Sequence, residues 1–328
     1  MMKKILIIQT ASIGDVILAT PLLEKLHHDF PGAAIDLLVK KGNESLFTGH
    51  PFLNLFLTWD KTHHGFRHFL QLIILVRKNR YDLVVNVQRF FKTGMLTALS
   101  GASSTVGFDK NPWSFLFSHK VIHQIGKGLH EIDRNLALLQ NFPGNKSYLP
   151  KLYPTSGDET AIQSFKTGIY YTLSPASLWF TKQYPAEQWA SFIRKIPATS
   201  VLYLLGSPAD HDLCEEILRK SGHPQAFNLS GRLTLLQSAA LMKDARMNFT
   251  NDSAPMHLAS AVNAPVSVVF CSTVPEFGFG PLSDRSFLIQ TEENLDCRPC
   301  GLHGYNACPK KHFRCATGIL PEALTAQL

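Results

Sequence analysis

The 328-residue chain has no apolar run long enough to cross a bilayer. Its longest runs, such as Ile5–Ile8 and Leu72–Val76, stop far short of the ~20 residues that a spanning helix takes. Internal repeats of solenoid period and low-complexity tracts are missing too, which excludes repeat arrays and tail-like segments. With 45% hydrophobic and 17% charged residues, the composition does not suggest disorder and leaves apolar material for two cores. The opening Met1–Gln9 superficially resembles a secretory leader. Its apolar stretch is only Ile5-Leu6-Ile7-Ile8 before a polar loop and a helical pattern, so it reads as a first buried strand of a cytosolic protein.

The dinucleotide fingerprint G-x-G-x-x-G is absent after that strand, where Gly14 stands alone in Thr10-Ala11-Ser12-Ile13-Gly14-Asp15. The second strand pattern ends in Val39-Lys40-Lys41 instead of the acid that would hold a ribose, which disfavours a nicotinamide enzyme. Charge of one sign is scarce in the first half. Residues 1–150 hold 17 Lys+Arg against 10 Asp+Glu, whereas residues 151–328 hold 15 of each. An anionic partner for the first half follows as one reading: a nucleic acid, a phosphorylated glycolipid or a membrane surface. Solvated lysines that merely keep the protein soluble are an equal alternative.

Short apolar runs alternate with helical patterns along the whole chain, as in parallel α/β architecture. Strands are predicted near 4–9, 35–39, 53–58, 82–87 and 105–108, with a helix over 131–140. In one helical pattern Ala19, Leu22, Leu23 and Leu26 recur at i, i+3, i+4 and i+7. Pro143, Pro150 and Pro154 mark a linker over 141–160. A second series follows, with strands near 169–173, 200–205, 226–229, 247–250 and 266–270. The expectation is two Rossmann-like domains, 1–150 and 151–328, with parallel sheets facing across a cleft and ligands at the carboxyl ends of the strands.

Three loops at those strand ends could carry chemistry. Asp15 follows the first strand, where Gly14 would permit tight chain reversal; read alone, Asp15 is an ordinary helix-capping acid. Thr250-Asn251-Asp252-Ser253-Ala254-Pro255-Met256-His257 follows a later strand and opens a helix. Asp252 or Ser253 would cap it, leaving backbone N–H groups and a positive dipole end for a phosphate, with His257 one turn in; a plain capped helix with a buried histidine is the alternative. Lys182, in Ser174–Pro185, could offer an ammonium to a diphosphate or could be simply solvated.

Together these segments resemble glycosyltransferase family 9, the ADP-heptose:lipopolysaccharide heptosyltransferases, and the heptosyltransferase II kind in particular. Ser12–Val16 with Ala19–Leu22 meets the family's S-x-G-D opening. Lys182-Gln183-Tyr184-Pro185-Ala186-Glu187-Gln188-Trp189 meets its lysine loop, and Asn251–His257 meets N-D-S-G-x-M-H with Ala254 in place of the Gly. Agreement continues in Gly206-Ser207, Leu229-Ser230-Gly231, His130–Leu136 and Ser272–Pro281, in order from residue 3 to about 290.

The resemblance implies a GT-B fold and inverting, metal-independent transfer of heptose from ADP-heptose to the inner core of a lipopolysaccharide precursor. Asp15 would be the general base, with Ser12 and Gly14 beside it. Lys182 would bind the donor diphosphate, and Asp252, Ser253, Ala254 and His257 would line the diphosphate and sugar. Leu233 and Met256 would lie near the adenine, and Asp210 near the ribose. Arg89 and Lys92, on a loop after the 82–87 strand, would face a phosphorylated lipid A–Kdo acceptor. The protein would then be cytoplasmic, in peripheral contact with the inner membrane surface and without a nucleic-acid partner. An epimerase, a transferase of another sugar, or a nucleotide-sugar-binding module are the alternatives.

Four of the six cysteines, Cys297, Cys300, Cys308 and Cys315, crowd into a tail at 297–315. A C-x-x-C pair with two later cysteines can make a structural zinc site; two disulfides or four free thiols remain open. This cluster is expected to be structural and separable from the chemistry, which itself needs no cofactor. Cys214 and Cys271 are expected in the core.

Overall fold

The computed structural model describes residues 2–61, 65–144 and 146–328. The chain divides into two compact units after Tyr153.

The first unit runs β1 (Lys4–Gln9), α1 (Ile13–Ile17), α2 (Thr20–Asp29), β2 (Ala34–Lys40), β3 (Leu53–Trp59), α3 (Gly65–Asn79), β4 (Leu83–Asn86), α4 (Phe91–Ala98), β5 (Ser104–Phe108), β6 (His119–Val121) and α5 (Glu131–Ala137). Its strands form one parallel sheet in the order β3-β2-β1-β4-β5-β6. Ile5 to Ile8 are fully buried, because helices cover both faces of a parallel sheet and the central strand has no solvent side. That is why β1 reads as a continuous apolar run instead of an alternation.

The second unit repeats the winding. It contains α6 (Ser156–Ile162), β7 (Tyr170–Ser174), α7 (Ala186–Ile193), β8 (Val201–Leu204), α8 (His211–Ser221), β9 (Ala226–Asn228), α9 (Leu235–Asp244), β10 (Met247–Asn251), α10 (Ala254–Ala261), β11 (Val266–Phe270), β12 (Ser286–Gln290), α11 (Arg314–Thr317) and α12 (Glu322–Thr325). The sheet order is β12-β11-β10-β7-β8-β9, again parallel. In each sheet the order reverses beside the unit's first strand, between β1 and β4 and between β7 and β10. Ligands of open α/β sheets lie at the carboxyl ends of such strand pairs.

Three expectations are corrected. Strands β6 and β12 were not expected: both are edge strands, and β6 buries only Val121 and β12 only Ile289, too little for an apolar run to announce them. The last helix of the first unit stops at Ala137. The division between the units falls inside the expected 141–160 linker, but later than residue 150, because the first part of that segment is held to the first unit. Lys25 Nζ donates to the carbonyls of Pro143 and Gly144 at 2.6 Å, the Lys151 N–H to Thr20 Oγ1 at 2.9 Å, and the Tyr153 hydroxyl to Glu24 Oε1 at 2.9 Å. These bonds strap it to α2, so the division falls after Tyr153 and not after 150; Asn145 of that segment lies outside the described residues. Likewise the last residues are no appendage: Ala316, Ile319 and Leu324 are buried in one core with Tyr184, Trp189, Phe192 and Phe249.

Candidate functional site

In the first unit the β1 and β4 loops are tied together where the sheet order reverses. Thr10 Oγ1 donates to Gln88 Oε1 at 2.6 Å, and both residues are buried. Lys61 Nζ donates to the Thr10 carbonyl at 2.7 Å. Burial first, then the charges of Lys40 and Lys92, pull the Lys61 ammonium below its usual range. These lysines therefore share one field at the end of β1.

Asp15 sits in the first turn of α1, half-buried. Its Oδ2 accepts from the Ser12 N–H at 3.2 Å and from Ser12 Oγ at 2.5 Å, so it does cap its helix. Both of those bonds use one oxygen, and a second carboxylate oxygen belongs to the same rigid group. Glu131 lies within its electrostatic reach. Burial raises the Glu131 carboxyl, Arg134 opposes that through a 2.7 Å bond from Nε, and the Asp15 charge raises it further. Gly14 does not serve chain reversal. It is buried within α1 and is not among the glycines with positive φ. Lys92 lies on α4, not on the preceding loop. With Arg89 it brackets Phe90 and Phe91, and all four are exposed.

In the second unit the corresponding loops make a closed set of bonds. Asn251, at the end of β10, accepts from the Tyr184 N–H at 3.0 Å and donates to the Pro175 carbonyl at 2.6 Å. Lys182 Nζ lies 2.7 Å from Asp252 Oδ2, which also accepts from Thr273 Oγ1 at 2.6 Å. Three strand-end loops thus converge on one ammonium. The lysine-loop motif is accounted for locally: Tyr184 and Trp189 are core anchors, and Pro185 is the N-cap of α7. Glu187 pairs with Lys220.

The residues expected to line the diphosphate divide. Asp252 is the partner of Lys182, an acid poorly suited to face a phosphate directly but able to hold the ammonium before a ligand arrives. Ser253 is the N-cap of α10 without a side-chain cap bond. Pro255 at the second helical position removes one N–H, so α10 offers fewer donors than a regular helix start. Ala254 begins the helix without a positive φ, so this position makes no demand for glycine. His257 is buried one turn in.

The residues expected near the adenine and ribose differ in exposure. Met256 is wholly buried, while Leu233 is partly exposed just before the N-cap Thr234 of α9. Asp210 is engaged in its own cap, accepting from Ser207 N and Oγ at 2.7 Å each.

The four tail cysteines are all free thiols, and together with His312 and Tyr305 they line one cavity of about 200 Å³. Burial, then the neighbouring thiols, pushes Cys300 up and Cys315 up to about 11. Sequence reasoning missed Lys61 altogether, and within the matched segments it gave no role to Glu131 with Arg134 or to Thr273, whose contacts arise only from the fold.

The sequence profile of glycosyltransferase family 9 (heptosyltransferase) matches residues 69–303. Lipopolysaccharide heptosyltransferase 3 of Escherichia coli is 26% identical over 278 residues, 79% of this chain and 81% of the relative. Lipopolysaccharide heptosyltransferase 2 of Escherichia coli K12 is 25% identical over 314 residues, 88% of each chain. The solved structure of E. coli ADP-heptose lps heptosyltransferase II superposes with a TM-score of 0.80 at 21% identity, covering 99% of this chain and 97% of that one. Two parallel, doubly wound sheets and a match over most of the sequence leave one assignment: the chain belongs to glycosyltransferase family 9 (heptosyltransferase), and is a glycosyltransferase of the GT-B fold.

Proposed function

We propose that the protein transfers a heptose from ADP-heptose to the inner core of a lipopolysaccharide precursor, with inversion and without a catalytic metal. The names of its relatives supply the sugar and the acceptor class. What carries the reading within this chain is Lys182, held 2.7 Å from Asp252 where the loops of β7 and β10 meet, beside the N-terminus of α10. A positioned ammonium and a helix N-terminus are suited to a diphosphate that gains charge as it departs. Asp15 in the first unit serves as general base, taking the proton of the acceptor hydroxyl as that oxygen attacks the anomeric carbon. Ser12, which donates to one oxygen of Asp15, keeps the carboxylate oriented.

Leu233, Ser253, Ala254 and His257 belong to the donor side in this reading, while Arg89 and Lys92 meet the anionic acceptor. Exposed Phe90 and Phe91 between those two cations suit an amphiphile whose phosphates and acyl chains lie close together. The reading places the enzyme at the cytoplasmic face of the inner membrane. No helix among the described residues is long and apolar enough to cross a membrane. The deciding experiment incubates the protein with ADP-heptose, with and without a core-lipid acceptor. Acceptor-dependent release of ADP together with a heptosylated lipid is expected. Sugar conversion without transfer would replace this reading by an epimerase, and neither product would reduce it to binding.

A further inference from the structure

The cysteine-rich segment is bound to the loop that presents Lys182. The Thr181 N–H donates to the Tyr305 carbonyl at 3.0 Å, and the Tyr305 N–H donates to Thr181 Oγ1 at 2.8 Å. Ser272 Oγ donates to the same Thr181 oxygen at 3.0 Å, while the Ser272 carbonyl accepts from the Cys300 N–H at 2.8 Å. Arg298, inside the C-x-x-C pair, donates to the carbonyls of Cys271 at 2.7 Å and Thr273 at 2.9 Å and to Gln290 Oε1 at 2.6 Å. Phe313 stacks on Phe180 at 5.0 Å. Gly304, at φ +79°, passes so close that a Cβ there would meet Thr181 Oγ1 at 2.8 Å and Lys182 Cγ at 3.2 Å. The segment expected to be separable from the chemistry therefore touches the residues on which Lys182 stands.

Residues 297–313 hold neither helix nor strand, so their shape depends on what ties them internally. The four thiols face one cavity, and Cys297 Sγ lies 3.7 Å from His312 Nε2. Among the described residues no three His, Cys, Asp or Glu side chains are already gathered as metal donors, so closing the set takes side-chain movement. The donor chemistry is nonetheless that of a thiolate site: four sulfurs and one imidazole line a common cavity. As thiolates these groups repel, and a divalent ion turns that repulsion into ligation.

We propose that Cys297, Cys300, Cys308 and Cys315 hold one thiophilic divalent ion, and that through Gly304 and Tyr305 this ion fixes the loop carrying Lys182, so that metal occupancy sets donor affinity. The ion is a positioning element and takes no part in the chemical step. The coupling rests on the reading of Lys182 as a diphosphate ligand.

The test uses the full chain, purified without chelator. Elemental analysis should find about one zinc or iron per chain. Cobalt(II) added to the stripped protein should produce thiolate-to-cobalt charge-transfer absorption that saturates at one equivalent. ADP binding, measured by calorimetry, should weaken about tenfold on stripping and return with metal. Cys308→Ser should lose both metal and affinity. Gly304→Ala should keep the metal yet bind ADP about tenfold more weakly, because the added Cβ displaces Thr181 and Lys182 directly. Lack of stoichiometric metal and of cobalt absorption, or four thiols blocked in pairs, would overturn the ion. Equal ADP affinity of stripped and loaded protein would overturn the coupling. If loaded wild-type protein bound no ADP at all, the donor-site reading and the coupling would fall together, and metal content would decide the ion separately.

Discussion

The two units share one winding but equip it in opposite ways. In the second, the ammonium of Lys182 is fixed by Asp252, Asp252 by Thr273, and the lysine loop by Asn251 and the cysteine segment. In the first, one carboxylate is held by a neighbouring serine, and the cations Arg89 and Lys92 stand exposed with Phe90 and Phe91. A nucleotide diphosphate is the same group in every turnover, so donors fixed in advance lose little freedom on binding it. A large, irregular acceptor is better met by mobile, exposed side chains around one fixed base. Under the proposed function, the contrast would separate preorganised leaving-group stabilisation from adaptable acceptor recognition.

The sharpest way to break this contrast is at Asp15. In Asp15→Asn the side-chain oxygen can still accept from Ser12, so the cap on α1 and donor binding should persist. Turnover should fall by ~10²–10⁴-fold, the usual contribution of general-base catalysis. Near-normal kcat would leave Asp15 as a cap only. Next in size is Lys182→Ala, expected to cost roughly 10²–10³-fold in rate, as for other preorganised donors at a charge-developing atom, and to weaken ADP binding. Weakened binding with unchanged kcat would show that the ammonium holds the ground state alone.

A smaller effect concerns stability and should fall on the first unit. His50, packed edge-on between Phe52 and Tyr153, and His123, edge-on to Phe108, are both held at about 4 by burial, then by nearby positive charge. The unfolded chain takes up these protons near the ordinary value of 6.5. Between those values the unfolded state binds more protons, so this stabilisation is present above pH 6.5 and is lost as pH falls towards 4. Calorimetry should show the first unit's transition moving down by several degrees over that interval. Substituting Phe at both histidines should flatten the shift. An unchanged slope in that double variant would assign the acid sensitivity to other groups.

How far the sequence carried can be judged from particular residues. The central strands and the three loops at their ends were legible because parallel strands are buried on both faces and therefore form unbroken apolar runs such as Ile5–Ile8. Edge strands β6 and β12 were not, since each buries a single side chain. Lys182 and the Asn251–His257 segment stood out only through the resemblance to the family's motifs, each having a plain local alternative. That Asp252 would serve Lys182 was not legible, because a pair 70 positions apart is brought together only by β7 lying next to β10. The union of Tyr305 with Thr181 is longer still, with 124 positions between them. Met256, expected near the adenine from the resemblance alone, lies wholly buried on α10, which no local pattern had indicated.

The smallest expected effect tests the adaptable side of the comparison. Exposed charges separated by more than a Debye length, ~10 Å at 0.1 M salt, are largely screened, and buried or enclosed ones much less. Arg89 and Lys92 are exposed, whereas the Lys182 and Asp252 side chains keep only 15% and 7% of their surface. Raising ionic strength should therefore increase the acceptor KM several-fold while the donor KM changes little. Arg89→Ala/Lys92→Ala should have a raised acceptor KM at low salt and a flatter salt dependence, because the charges that salt screens are already gone. Equal salt sensitivity of both substrates would remove the distinction between a preorganised donor side and an electrostatically gathered acceptor side. A double variant that kept the full salt slope would move acceptor recognition elsewhere in the first unit, with Lys61 beside Thr10, and Lys40 whose charge acts on it, the next cations to replace.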